Sequence, residues 1–76
     1  MDQVRERQLL EKFGESFRKA REAKGLSLRD LGDIADMDYN NISDIERGLV
    51  RPTIITFISL AEALDLDPAK LLSFAR

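Results

Sequence analysis

The stretch DMDYNNISDIERG, which begins at Asp36, contains the side chains that first suggest chemistry in this sequence. Asp38 and Asn40 follow Asp36 at alternate positions, and oxygen donors with this spacing open a calcium-binding loop. Such a loop also needs Gly at its sixth position and a bidentate Glu at its twelfth, where this sequence has Asn41 and Arg47. A cation in place of the clamping carboxylate argues against Ca²⁺, so we predict no metal site.

Catalysis has few candidate side chains. The chain contains no His and no Cys, which removes the usual general base, the thiol nucleophile and the commonest zinc ligands. Its four glycines stand far apart, so a glycine-rich phosphate loop is missing. The 14 Asp and Glu residues are spread along helical patterns in a chain of 76 residues, too short to enclose a deep pocket. We therefore expect no enzymatic activity and no cofactor.

The cellular compartment is indicated by two features. The lack of Cys and the polar start MDQVRERQ, which has no apolar signal region, favour a reducing cell interior. No apolar run approaches the ~20 residues of a membrane-spanning helix. We expect a cytoplasmic protein that does not contact the membrane.

Apolar residues recur at three- and four-residue steps, which predicts an all-α chain. They define five short helices, through Leu10, Phe13, Phe17 and Ala20; Leu28, Leu31, Ile34 and Ala35; Ile42 and Ile45; Phe57, Leu60, Ala61 and Leu64; and Leu71, Leu72 and Phe74. The boundaries follow from capping residues. Predicted starts are Ser27, Asp38, Pro52-Thr53 and Asp67-Pro68, and predicted stops are Gly25 and Gly48.

The centre of the chain has the pattern of two helices joined by a tight turn. Leu31 and Ile34 are apolar positions of one helix, Ile42 and Ile45 are those of the next, and Asp36 lies in the turn between them. This arrangement predicts a helix-turn-helix. In a helix-turn-helix, the oxygen donors are turn and capping residues, so no metal is needed to explain them.

Several motifs in a fixed order strengthen this interpretation. They are Arg21 before Gly25-Leu26-Ser27, then Leu31, Ile42-Ser43, Ile45-Glu46-Arg47-Gly48, Pro52-Thr53, and Ala61 with Leu64. Through them, residues 13–72 resemble the Cro/phage-repressor type (XRE-like) of helix-turn-helix transcriptional regulators. The resemblance implies a compact bundle of about five short helices, a lambda-repressor-like DNA-binding domain whose third helix lies in the major groove. We divide the chain into an N-terminal helical extension, residues 1–12, and this domain, residues 13–76.

The resemblance also implies roles for individual side chains. Arg21 and Glu46 match a pair that joins the first and third helices, although they could be a loose surface pair of little energetic value. The base-reading positions match Tyr39, Asn40, Asn41 and Asp44, which could instead form a plain polar helix face. The expected phosphate contacts are Ser27, Arg29, Ser43, Arg47 and Arg51.

Three positions differ from the family pattern. Gly32 stands where the family often has Ala, which permits close helix contact but weakens the helix by roughly 1 kcal/mol. Asp36 replaces the usual turn Gly, and Asp visits left-handed backbone conformations more readily than most residues. Leu28 replaces a Gln that often touches phosphate, so that contact should be absent.

The charge balance is unusual for a DNA-binding protein, which is typically basic. The chain has 12 Lys and Arg against 14 Asp and Glu, and residues 30–46 contain six acidic and no basic residues. Phosphate repulsion there must be offset by Arg29, Arg47, Arg51 and helix N-terminal amides. Two alternatives therefore stay open: a protein-interaction module on a helix-turn-helix fold that has lost DNA binding, and an antitoxin-like regulator that binds DNA and a protein partner.

Our expected function is that of a sequence-specific DNA-binding transcriptional regulator, a repressor or controller, which binds double-stranded DNA as a homodimer. One small module buries too little DNA surface for tight binding, hence the dimer. The expected dimer contact is the C-terminal helix, with Leu71, Leu72 and Phe74. The N-terminal extension, with Val4 and Leu9, is the second choice.

Overall fold

Five α-helices and no strand make up residues 1–73, the part of the chain that this computed structural model describes. The helices are α1 (Gln3–Ala23), α2 (Leu28–Ala35), α3 (Tyr39–Glu46), α4 (Ile54–Ala63) and α5 (Pro68–Leu71). The predicted all-α bundle of about five short helices is confirmed. Phe74, which the sequence placed on the fifth helix, lies outside the described residues. Within residues 1–73, no helix combines the length and the apolar character that crossing a membrane requires.

Each helix begins at a side chain that accepts a hydrogen bond from a first-turn amide, the usual N-cap arrangement. The five N-caps are Asp2, Ser27, Asp38, Thr53 and Asp67. At α2 the bond is reciprocal, because the Asp30 carboxylate accepts from the Ser27 amide at 3.0 Å and completes a capping box. That bond from the backbone amide lowers the pKa of Asp30. The N-caps predicted at Ser27 and Asp38 are confirmed.

The first helix is longer than its apolar pattern predicted. Its cap is Asp2, and the helix passes through residues 12 and 13 without a break. The N-terminal extension expected at residues 1–12 is therefore the first half of α1. Its division from the domain at residues 13–76 stays a prediction, since a continuous helix marks no boundary.

The core is formed by apolar side chains from all five helices. Its buried members are Phe13, Phe17, Leu31, Ile42, Ile45, Phe57, Leu60, Ala61, Leu64 and Leu71. The rings of Phe13 and Phe57 meet edge to face with centroids 5.6 Å apart, which fastens α1 to α4. Leu71 is 2% exposed, so the protein's own core uses a side chain that the sequence assigned to a dimer contact.

Ile34 lies on α2, as its apolar spacing predicted, but its side chain does not face the core. Its side chain is 56% exposed, whereas Leu31 is completely buried. On a helix of 3.6 residues per turn, Leu28, Leu31 and Ala35 share one face, and Ile34 lies about 100° away from its centre. The eight-residue α2 is too short for a broader buried face.

Candidate nucleic-acid interface

A tight turn joins α2 to α3. Asp36 ends α2 with a left-handed backbone (φ 55°, ψ 50°), and Asp38 caps α3 through a 2.8 Å bond from the Asn40 amide. The turn packs directly on α2, because a Cβ added to Gly32 would lie only 2.7 Å from the Met37 carbonyl oxygen. Gly at position 32 is thus a steric requirement of this turn, and the Ala that the family often carries would force the turn outwards.

The two faces of α3 differ sharply. Ile42 and Ile45 are buried in the core, at 0% and 1% exposed. Tyr39, Asn40 and Asn41 are exposed; at 3.6 residues per turn Asn40 lies opposite the two Ile side chains, with Tyr39 and Asn41 on either flank. The side chains of the two Asn residues have no hydrogen-bond partner anywhere in residues 1–73. Their donors and acceptors are therefore available to an external surface that offers both.

The first residue of α3 is packed against a cation from α2. The Arg29 guanidinium lies 5.0 Å from the centroid of the Tyr39 ring, a cation–π distance. This contact holds a positive charge at the edge of the exposed α3 face. It also partly offsets the negative charge of Asp33 and Asp38, which line the same shallow cavity.

The end of α3 holds a second cation. Arg47 is the C-cap residue, and its guanidinium lies 3.9 Å from the half-exposed Asp44 carboxylate, one helical turn back. This distance is at the limit of an ion pair, so Arg47 is only loosely held. Ser43, which precedes Asp44 on α3, is partly buried. Ser27 lies apart from them at the N-cap of α2, where its hydroxyl oxygen accepts a hydrogen bond from the Asp30 amide.

Arg51 is in contact with the first turn of α1. Its Nε donates to the Glu6 carboxylate across 45 residues of sequence. Nearby, a Cβ added to Gly48, which has φ 72°, would lie 3.0 Å from the backbone of Glu11. The loop that follows α3 therefore lies along the first half of α1. The sequence contained no signal for this contact, because neither residue type nor spacing links Glu6 to Arg51.

The structure brings Arg21 and Glu46 together. Arg21 donates to the Glu46 carboxylate through Nε at 2.7 Å and Nη2 at 3.0 Å, and through Nη1 to the Leu26 carbonyl at 2.8 Å. The two side chains are 12% and 6% exposed. The hydrogen bond to Glu46 raises the pKa of Arg21 above its already high ordinary value. The contact fixes the last residue of α3 to α1.

Gly14 provides a further contact between these helices. A Cβ at this position would lie 2.4 Å from the Glu46 carbonyl oxygen and 2.5 Å from that of Ile45. Only Gly allows α1 to approach the end of α3 so closely. No role was predicted for Gly14, although an isolated Gly inside a helical pattern weakens the helix and so indicates a packing reason for its presence.

The acidic residues of this region do not converge. Among residues 1–73, no three acidic side chains meet in a way that could hold a metal ion. Asp36 and Asp38, the oxygen donors that suggested a calcium loop, end one helix and begin the next. The exposed face of α3 has polar side chains at its centre and the cations Arg29 and Arg47 at its edges. A surface of this kind can approach a polyanion.

Comparison with known proteins relates this arrangement to a family. The helix-turn-helix family model HTH_3 matches residues 17–71. The uncharacterized HTH-type transcriptional regulator y4dL of Sinorhizobium fredii is 36% identical over 70 residues, which cover 87% of this chain and 36% of that protein. The HTH-type transcriptional regulator DdrOP3 of Deinococcus deserti is 34% identical over 61 residues, covering 80% of this chain and 47% of that protein.

A solved structure extends the likeness to three dimensions. The restriction-modification controller protein C.AhdI from Aeromonas hydrophila superposes with a TM-score of 0.80 at 37% identity, covering 82% of this chain and 94% of that one. The chain spans about a third to a half of the length of the two curated relatives, and nearly all of the controller protein. Family model, relatives and structure agree: the chain belongs to the helix-turn-helix family HTH_3 of DNA-binding transcriptional regulators.

Proposed function

We propose that this chain is a sequence-specific transcriptional regulator, a repressor or controller, that places α3 in the major groove of double-stranded DNA. The observation that carries the proposal is the exposed face of α3. Asn40 and Asn41 stand there without partners inside the described protein, on a helix held firmly by Gly14 and by the Arg21–Glu46 pair. A rigidly mounted helix with free polar groups is what base recognition requires.

The base contacts are assigned to the outer face of α3. An Asn carboxamide can donate to adenine N7 and accept from its N6 amino group, so Asn40 and Asn41 favour adenine. Asp44 can accept from cytosine N4, and its loose approach to Arg47 leaves it free to do so. Tyr39 presents its ring beside Arg29, where it can contact a thymine methyl group.

The phosphate contacts are assigned to residues around that face. They are Ser27, Arg29, Ser43, Arg47 and Arg51, supported by the amides that open α2 and α3. The three Arg residues are needed because residues 30–46 have a net charge of −6. With so few cations, binding should be weak, and its dependence on salt should be about that of three phosphate contacts.

A second candidate function is supported by the same acidic surface. Asp33, Asp36 and Asp38 are exposed next to one another along the chain. A basic protein partner would fit this surface, either in place of DNA or, as for an antitoxin-like regulator, in addition to DNA. The absence of any DNA binding at low salt would favour this candidate.

Dimerisation through α4 completes the proposal. Ile54, Ile55 and Ile58 are 65%, 72% and 38% exposed, and Glu62 is the one ionisable residue within α4. An apolar surface with so little charge is self-complementary under a two-fold axis, so a second copy of the chain can cover it without charge repulsion. The sequence predicted a dimer contact at the C-terminal helix. Among its residues within 1–73, Leu72 is exposed, at 45%, and it can add to the α4 surface. The dimer would read two half-sites about 34 Å apart.

Selection of bound sequences from random double-stranded DNA at low salt tests this function. We expect the wild type to enrich a motif with two related half-sites one helical turn apart. The double variant Asn40→Ala/Asn41→Ala is the matched comparison, because it removes the proposed base contacts and no charge. Equal enrichment by both proteins would exclude base reading by these residues, and no enrichment by the wild type would exclude sequence-specific binding. We assign the protein to the cytoplasm and expect it to act without cofactor or catalysis.

A further inference from the structure

Arg51 has an anionic partner before any DNA arrives. Its side chain is 79% exposed, as a phosphate contact requires, yet its Nε donates to the Glu6 carboxylate. Arg47, at the other end of the same loop, has as its one ion-pair partner within residues 1–73 the distant Asp44 carboxylate, at 3.9 Å. Of the two cations that follow α3, Arg51 is therefore directly paired with a carboxylate and Arg47 is only loosely paired.

Glu6 is less exposed than Arg51. Its side chain is 29% exposed, and it lies in the first turn of α1 beside Leu10 and the loop at Gly48. The close approach of Gly48 to Glu11 fixes the loop to the same helix. The carboxylate thus lies at the base of the loop, while the long and more exposed Arg51 side chain has room to reorient.

We propose that Glu6 competes with DNA phosphate for the Arg51 guanidinium and so limits the strength of this backbone contact. The inference rests on the proposed DNA-binding function. A carboxylate and a phosphate both bind a guanidinium through the same N–H groups. If Glu6 stays bound when phosphate approaches, its negative charge opposes the phosphate; if it is displaced, the ion pair is lost. In both cases the net gain from Arg51 is smaller than that from a free cation.

Competition by Glu6 would weaken binding to all DNA sequences alike. A phosphate contact carries no sequence information, so weakening it lowers non-specific and specific affinity together. Glu6 thereby adds to the effect of the acidic segment 30–46, and binding at physiological salt would depend more on the base contacts of α3. The N-terminal half of α1, which the sequence treated as an extension, would act directly on the DNA-binding loop.

Two other roles of Glu6 lead to different results. An acidic residue in the first turn stabilises a helix through its dipole, and this role alone affects folding but not DNA affinity. A Glu6 that orients Arg51 towards the phosphate would strengthen binding. Of these three roles, competition is the one in which removing the charge of Glu6 improves binding.

The experiment compares Glu6→Gln with the control Glu15→Gln. Glu15 also lies on α1 in an ion pair, with Lys19 at 3.2 Å, but it does not contact Arg51. Binding isotherms on matched and mismatched duplexes would be measured between about 50 and 200 mM salt. We expect Glu6→Gln to bind both duplexes roughly two- to five-fold more tightly than Glu15→Gln, the range of an exposed ion pair. Its plot of log affinity against log salt should be steeper by about one if Glu6 stays bound to Arg51 in the wild-type complex, and of equal slope if phosphate displaces Glu6.

A double-mutant cycle with Arg51→Ala makes the test specific. In the Arg51→Ala variant, adding Glu6→Gln should improve DNA binding no more than adding Glu15→Gln does. The proposal is overturned if Glu6→Gln binds like Glu15→Gln, if it binds more weakly, or if its gain persists without Arg51. A wild type that binds no DNA at 50 mM salt, roughly the lower end of the usual range, would overturn the proposed function as well. If instead the wild type binds DNA and Glu6→Gln shows no gain, only the competition by Glu6 is overturned.

Discussion

Arg21 and Glu46 join the end of α1 to the last residue of α3 through two hydrogen bonds, with N–O distances of 2.7 and 3.0 Å. Arg21 uses its remaining nitrogen to bind the Leu26 carbonyl in the turn before α2. One buried guanidinium therefore ties together α1, the turn that follows it and α3. The orientation of the proposed recognition helix depends on this contact.

Removing one member of the pair should be costly. We expect Arg21→Met to lower the free energy of unfolding by about 3 kcal/mol, since it leaves the Glu46 carboxylate buried without its partner. Arg21→Met/Glu46→Leu should recover most of that loss. The control Arg18→Met breaks the exposed pair with Glu22 on the same helix and should cost less than about 0.5 kcal/mol. Urea unfolding measures all three, and equal losses for Arg21→Met and Arg18→Met would show that the buried pair has no special role.

The left-handed turn residue leads to a second prediction. Asp36 has φ 55°, a conformation that Gly adopts without steric cost. Asp36→Gly should therefore leave Tm unchanged or raise it by up to about 5 °C. Asp33→Gly, an exposed change inside α2, should lower Tm because Gly is the poorer helix former. If thermal melting shows a fall of several degrees for Asp36→Gly, the Asp36 side chain has a structural role that its backbone does not explain.

A third prediction concerns the closest approach of two helices. Gly14→Ala places a methyl group 2.5 Å from the Ile45 carbonyl oxygen and 2.4 Å from that of Glu46, so α1 and α3 must separate. We expect a net loss of about 1–3 kcal/mol despite the better helix propensity of Ala. DNA affinity should fall too, because α3 shifts. Gly25→Ala is the control: it meets no atom within 4 Å and should cost only its backbone strain at φ 70°, without an effect on DNA binding. A neutral Gly14→Ala would contradict the close packing.

Local patterns predicted the elements well. Ser27 and Asp38 were identified as N-caps because capping chemistry is confined to a few neighbouring residues. The helix-turn-helix followed from Leu31, Ile42 and Ile45, whose spacing already fixes which side faces the core. The base-reading and phosphate assignments came from the family resemblance, and they stay predictions.

Contacts between distant segments could not be predicted in this way. Glu6 and Arg51 are ordinary surface residues in the sequence, and their pairing depends on how the loop after α3 lies on α1. In the sequence, Gly14 is simply a poor helix former within α1. Its packing role follows only from the short distance to α3. Leu71 illustrates the reverse error: a C-terminal Leu counted as surplus apolar surface is needed to close a small core.

The proposed dimer surface gives a fourth prediction. Ile55, 72% exposed on α4, should contribute to the contact, so Ile55→Lys should shift the protein towards monomer. Val4→Lys, a change at a 67% exposed position on α1, tests the second surface that the sequence suggested. Analytical ultracentrifugation at high micromolar concentration, with and without operator DNA, measures the mass. A monomeric wild type in both conditions would contradict the dimer, and dissociation by Val4→Lys alone would move the contact to α1.

α3 and the loop after it are proposed to have separate roles in DNA binding. Asn40 is proposed to contact a base, and Arg47 a phosphate. Loss of a base contact should cost about 1–3 kcal/mol and relax preference at one position, whereas loss of a phosphate contact should weaken all sequences alike. Both side chains are exposed, so neither substitution should unfold the protein.

The most direct test measures binding of Asn40→Ala and Arg47→Ala to matched and mismatched duplexes at four salt concentrations. We predict that Asn40→Ala loses discrimination between the duplexes and keeps the wild-type salt slope. Arg47→Ala should keep discrimination and reduce the magnitude of the slope by about one. Identical behaviour of the two variants would contradict the assignment of roles, and wild-type behaviour of both would show that α3 does not enter the groove.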